Sequence, residues 1–430
     1  MADSNQTTTT AFDRVSDVDV VMTVIQPRPV VGLGNLLILN PKTASTSSSP
    51  TTGSSASTGS GTTAGSSTAG SGSTSPSAPA SGSQTTQATT ATSNNGSTQS
   101  VQTTLPDELS ADDRENGILL RKTDPKTGAI YREYANAEAV SHDYDTDSIV
   151  YKKALTYFAQ DNSSDRIAVL DYDPSKASDS LEAFWYFNWT FAIQAESNID
   201  QDTVALSNIF EANKDHFLVL QTNNIDDYQQ LNGQNYVIGL KHDPAEYMDA
   251  AIVGAVATLT VGSVTWKFKS LKGITPESLT TNELSGINSL HAIAYVEVNS
   301  IGETSEGWVL SGEYIDVNHG MIWIKTNMSG QLESFLQGNG KVSYDQAGIT
   351  QLSGIVTQVL EQAYQQGIIN QNETTGKGDY SVTASPRSEQ SLADISARHY
   401  GGLNFTYHVS GAIHDITVNG EVQSDRILRS

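Results

Sequence analysis

Hydrophobic and polar positions alternate and then run together over residues 11–40, AFDRVSDVDVVMTVIQPRPVVGLGNLLILN. This predicts two strands, punctuated by Pro27 and Pro29. From about Arg166 the pattern changes period repeatedly. RIAVLDY, WTFAIQAE, HFLVLQT and YVIGLKH read as strands, and ASDSLEAFWYF and QDTVALSNIFEAN as helices. Alternation of this kind is the mark of an α/β layer with some parallel pairing. A further helix should follow YVIGLKH, capped by Asp243, with Pro244 at its first position and Glu246 completing a capping box. Met248, Ala251, Ile252, Ala255, Val256 and Leu259 fall on one face of it, as a buried core helix requires.

The last third carries a short helix opened by Thr275-Pro276 and a strand over Ala292–Val298. Two long helices follow. One is marked by Met321, Ile324, Met328, Leu332 and Phe335. The other runs from Ile349 through Ala363, with Gly367 as its stop. Near the end, LNFTYHVSGAIHDITVNGEV reads as two strands joined at Ser410-Gly411. Phe405, Tyr407, Val409, Ile416 and Val418 alternate there with polar residues, and Val18, Val20 and Met22 offer a similar face near the start. Exposed strands of this kind invite pairing with another chain.

Composition changes the picture at one place. Between Lys42 and Asp107 there is no charged and no aromatic residue, only Ser, Thr, Gly, Ala and a few others. Such a stretch cannot bury enough apolar surface to offset its ordering entropy, so a flexible, exposed insert is expected. The whole chain has 430 residues and a formal charge of −24, which disfavours nucleic acid and anionic membrane surfaces. It has no cysteine, so disulfides and thiolate metal sites are excluded. The polar start MADSNQTTTT does not read as a signal peptide. The most apolar stretch, Ala250–Val264, is too short to span a bilayer.

The chain offers little in the way of catalytic motifs. The eight histidines form no ligand cluster. His242-Asp243 and His414-Asp415 are adjacent pairs, whose side chains diverge in an extended chain. GLGN at Gly32–Asn35 lacks the third glycine of a dinucleotide loop, and GNGKV at Gly338–Val342 lacks the Ser or Thr of a phosphate loop, so both read as turns. Glu313 and Asp316 offer a paired-carboxylate reading. WYFNW, Trp185–Trp189, is either a sugar platform or a buried helix-to-strand junction, and the α/β context favours the junction. The expectation is no catalytic residue, cofactor or metal site.

Four collinear stretches carry a resemblance: Gly262–Thr280, Ser311–Met328, Asp345–Leu352 and Ala397–Val422. With VDVVMTVIQPRPVVGLGNLLIL near the start, they resemble tail sheath proteins of contractile-tailed bacteriophages, in the branch long known as a phage family of unknown function. The resemblance covers nearly all the chain except the insert. It implies a mixed α/β and α+β fold with extended terminal β arms. The divisions would be an N-terminal arm and first strands at 1–41, the disordered insert at 42–105, an α/β sheath domain at 106–262, a C-terminal α+β domain at 263–402 and a β-hairpin arm at 403–430. It implies a structural, non-enzymatic subunit whose arms (Val18, Val20, Met22, Phe405, Tyr407, Val409, Ile416, Val418) contact neighbouring subunits. Its partners would be other copies in stacked hexameric rings, the tail tube protein, the baseplate and the tail terminator. There would be no nucleic acid and no membrane insertion. Its place would be the phage virion, after assembly in the host cytoplasm. Two other readings stay open: a surface adhesin or glycan-binding protein with the insert as stalk, and a hydrolase using Glu313 and Asp316.

Overall fold

A computed structural model describes residues 33–42 and 107–420. These residues belong to one compact unit that takes in chain on both sides of the insert. In chain order its strands are β1 (Leu36–Pro41), β2 (Ile118–Thr123), β3 (Ile130–Tyr134), β4 (Ile167–Tyr172), β5 (Phe191–Gln194), β6 (Phe217–Thr222), β7 (Val237–Lys241), β8 (Ile293–Val298), β9 (Ile301–Thr304), β10 (Tyr380–Ala384) and β11 (Leu403–Tyr407). Its helices are α1 (Ala111–Glu115), α2 (Ala137–Val140), α3 (Ile149–Phe158), α4 (Ala177–Phe184), α5 (Gln201–Asn213), α6 (Met248–Val256), α7 (Thr281–Ser289), α8 (Ile315–Gly338), α9 (Gln346–Gln365) and α10 (Leu392–Ala397).

The architecture is mixed α/β. Nine strands form one sheet in the order β2-β3-β4-β1-β5-β6-β7-β8-β9. β4, β1, β5, β6, β7 and β8 pair in parallel, and antiparallel partners close each side. Burial explains the sequence runs. Every residue of β6 is buried, as are the first four of β1 and β4, because a parallel sheet covered on both faces needs apolar residues throughout. β8 and β9 extend the same sheet, so it draws on residues from both sides of position 262.

α6 is buried at all nine positions and not only along one face. It packs tightly on α3: a Cβ at Gly254 would lie 2.5 Å from the Tyr157 carbonyl oxygen. The helix begins at Met248, later than the Asp243-Pro244 signal predicts. The Glu246 carboxylate is drawn elsewhere, accepting from Thr275 N (2.6 Å) and Thr275 Oγ1 (2.8 Å) and lying 3.0 Å from His242 Nε2. Asp243 therefore caps a turn, accepting from Ala245 N. Thr275-Pro276 likewise opens no helix. The chain there is extended, with Glu277 N donating to Tyr295 O on β8, and α7 starts at Thr281 with a Thr280–Glu283 capping box.

A second hydrophobic cluster is built by α8 and α9, including Ile324, Met328, Val356, Val359, Leu360 and Ala363. The positive φ of Gly367 (86°) ends this helical pair, as its position predicts. β10 and β11 form a two-stranded antiparallel sheet against it.

Candidate functional site

In open α/β sheets, ligands sit beyond the carboxyl ends of strands where the strand order reverses. Here β1 lies between β4 and β5, so that end of the sheet is the place to look. It is filled by a polar network. Lys153 on α3 donates to Asp249 on α6 and to the Gln194 carbonyl oxygen at the end of β5 (2.7 Å). Gln221, on β6, accepts from Asp249 N (3.0 Å) and donates to the carbonyls of Asp243 (2.9 Å) and Glu246 (2.6 Å). These groups satisfy one another, which is what burial of polar atoms demands.

Glu313 and Asp316 each accept from the backbone N–H of the next residue, Glu313 Oε1 from Tyr314 N (3.0 Å) and Asp316 Oδ1 from Val317 N (2.9 Å). Burial pushes the Asp316 carboxyl up, while Glu313 is exposed. Among the described residues no group of three or more His, Asp or Glu side chains is placed to hold a metal, and no helix is long and apolar enough to cross a membrane. Trp185 and Trp189 are fully buried and cross edge to face at 5.4 Å. Their indole N–H groups donate to Asp215 Oδ1 (2.9 Å) and Phe184 O (3.0 Å). WYFNW is therefore a helix-to-strand junction and presents no sugar platform, because both rings are spent on the core.

The surfaces that remain are strand edges and the end of the chain. Leu403–Tyr407 is a strand, but its partner is β10, in register Tyr380↔Tyr407 to Ala384↔Leu403, and not the stretch after Ser410-Gly411. Residues Gly411–Gly420 form no regular element. The physical reason is packing: Phe405 and Tyr407, with Tyr380 and Val382, lie half-buried against the α8–α9 cluster, a surface that the later stretch cannot also occupy. YSVTA was the unread partner, and its short alternation was the available signal.

Val409 bridges to Ile369, and beyond it Ile416 and Val418 are 75% and 85% exposed. Val18, Val20 and Met22 lie outside the described residues, as does the insert. The structure thus separates the expected contact residues: Phe405 and Tyr407 turn inward on their own subunit, and Ile416 and Val418 face solvent.

The chain superposes on a chain of an extracellular contractile injection system, the PVC sheath complex in its contracted state, with a TM-score of 0.53 and 12% identity. The match covers 67% of this chain and 85% of that one. A chain of the anti-feeding prophage baseplate matches with a TM-score of 0.51 and 12% identity, over 65% of this chain and 82% of that one. The chain has the sheath fold. No protein-family model and no curated protein sequence matches it. At 12% identity the likeness is one of fold.

Proposed function

We propose that this chain is the repeating subunit of a contractile tail sheath. Copies stack around an inner tube and rearrange together, driving the tube forward. The observation that carries the reading is the sheath fold over most of the described chain, shared with a sheath complex. An exposed, irregular C-terminal stretch rich in apolar residues agrees with it, since such a stretch needs a neighbour. Contacts that repeat head to tail without closing into a ring generate a helical array. In such an array Val18, Val20, Met22, Ile416 and Val418 join adjacent copies, with strand addition supplying main-chain hydrogen bonds. The tube protein, the baseplate and the tail terminator of a bacteriophage particle are the further partners. The work comes from relaxation of a metastable assembly, so no nucleotide site is required.

Negative-stain microscopy of the purified chain is the test. Tubes or stacked rings with a helical repeat are expected. A chain that stays monomeric at high concentration, with and without tube protein, overturns the reading.

A further inference from the structure

The stretch after Ser410 contains an inversion. Its apolar residues Ile413, Ile416 and Val418 are 76%, 75% and 85% exposed, whereas the polar ring of His414 between them is covered. His414 Nε2 lies 2.7 Å from Thr265 Oγ1, and its Nδ1 lies 3.3 Å from Glu306 Oε2. The other oxygen of Glu306 accepts from Lys267 Nζ (2.6 Å). The ring packs edge to face on Tyr314 (4.8 Å) and lies 6.3 Å from Phe268. Phe268 holds a left-handed backbone (φ 64°), fixed by its N–H to Thr304 O, and its side chain is 47% exposed. Among the described residues, the side-chain hydrogen bonds from Gly411–Gly420 to the body are those of His414. Just upstream the chain is fixed by backbone bonds, with Ser410 N donating to Ile368 O and Asn370 N to His408 O.

We propose that Gly411–Gly420 is a strap which the unassembled subunit keeps on its own body, with His414 as the catch in a notch of Thr265, Glu306, Phe268 and Tyr314, and that a second copy of this chain displaces it. Hydrophobic burial does not hold the strap, because its apolar residues already face water. Among the described residues of this stretch one side chain hydrogen-bonds the body, so release is local and uncovers no core. Gly411, with open space around its Cβ position, is the pivot. Once free, Ile413, Ile416 and Val418 move together to a neighbour's surface. The role of release rests on the assembly reading above, but the existence of the catch does not.

The chain has no cysteine, so spin labels go only where cysteines are introduced, here Glu297→Cys and Thr417→Cys. Pulsed electron double resonance on the dilute, unassembled chain should give one narrow distance distribution. Adding His414→Ala, or separately Thr265→Val, should broaden it without lowering the melting temperature. In assembly followed by light scattering, His414→Ala should shorten the lag several-fold. A broad distribution with His414 present, or one unchanged by both substitutions, overturns the catch. Slower assembly of the alanine variant overturns it too, since His414 would then act between subunits. If no variant polymerises, displacement by a second copy falls with the sheath reading, while the distance distributions still decide whether the catch exists.

Discussion

Lys153 and Asp249, ninety-six residues apart in sequence, form an ion pair with side chains only 1% and 2% exposed. The pair ties α3 to α6, and the second bond from Lys153 reaches the end of β5. Removing one partner leaves an uncompensated buried charge, so Asp249→Ala or Lys153→Ala should each cost about 3–5 kcal/mol in denaturant unfolding. The double variant Lys153→Met, Asp249→Leu should recover most of that loss, because paired apolar groups leave no unpaired charge. Additive losses in the double variant would show that the two residues do not act as a pair.

Lys42 and Asp107, which flank the insert, leave the same end of the sheet. Asn40 is beside Asp171 on β4, Asp171 beside Ile130 on β3, and Ile130 beside Thr123 on β2, where Asp107 accepts from Thr123 N. Three strand spacings of about 4.8 Å separate the two ends, roughly 14 Å. A Gly/Ser linker of about eight residues spans that distance. Replacing residues 44–105 by such a linker should leave circular dichroism and melting temperature unchanged within about 2 °C. A large drop would show that the insert contributes to folding.

Two glycines should respond in opposite directions. A Cβ at Gly34 would lie 1.8 Å from the Ala257 carbonyl oxygen, so Gly34→Ala must push β1 away from the end of α6, at about 3 kcal/mol. Gly354, inside α9, has open space around its Cβ position. Gly354→Ala should stabilise by about 0.5–1 kcal/mol through helix propensity. Thermal melts of the two variants, compared with the parent, measure both.

The capping box at α1 predicts a pH effect. The Ser110 backbone N–H, then the Arg121 guanidinium and the Ser110 hydroxyl, pull the Asp113 carboxyl from 3.8 down to about 2. A carboxyl whose folded value lies below its unfolded one stabilises the fold above the unfolded value, and that contribution disappears as pH falls from about 4 to about 2. Carboxyl NMR titration should show Asp113 as one of the last acids to protonate. Ser110→Ala should raise its midpoint and cost about 1 kcal/mol at neutral pH.

The pairing of β11 with β10 makes truncation position-sensitive. Ending the chain before Leu403 strips the half-buried Tyr380 and Val382 of their partner strand, and should lower stability by about 2 kcal/mol or more. Ending it after Ser410 removes no regular element among the described residues, and should leave the melt unchanged while affecting assembly. Equal melts for the two truncations would mean that β11 is not part of the subunit core.

The sequence by itself determined the parallel strands of the sheet and the long helices, but not the antiparallel β2, β3 and β9. β4, β6 and β7 are apolar runs and α9 an apolar stripe, because burial on two faces or one imposes those patterns residue by residue. Caps were less legible. Asp243-Pro244 and Thr275-Pro276 both carry helix-start chemistry, yet Glu246 and Thr275 bond to each other across twenty-nine residues instead. Partner choice was not legible at all. Leu403–Tyr407 and the residues after Ser410 alternate equally well, and a period of two says which residues share a face but not which strand lies alongside. Contact with the α8–α9 cluster decides for β10, just as the fold of α3 against α6 decides that Lys153 meets Asp249. Local pattern reports burial, whereas pairing depends on which distant surfaces the chain brings together, and only the tertiary structure holds that information.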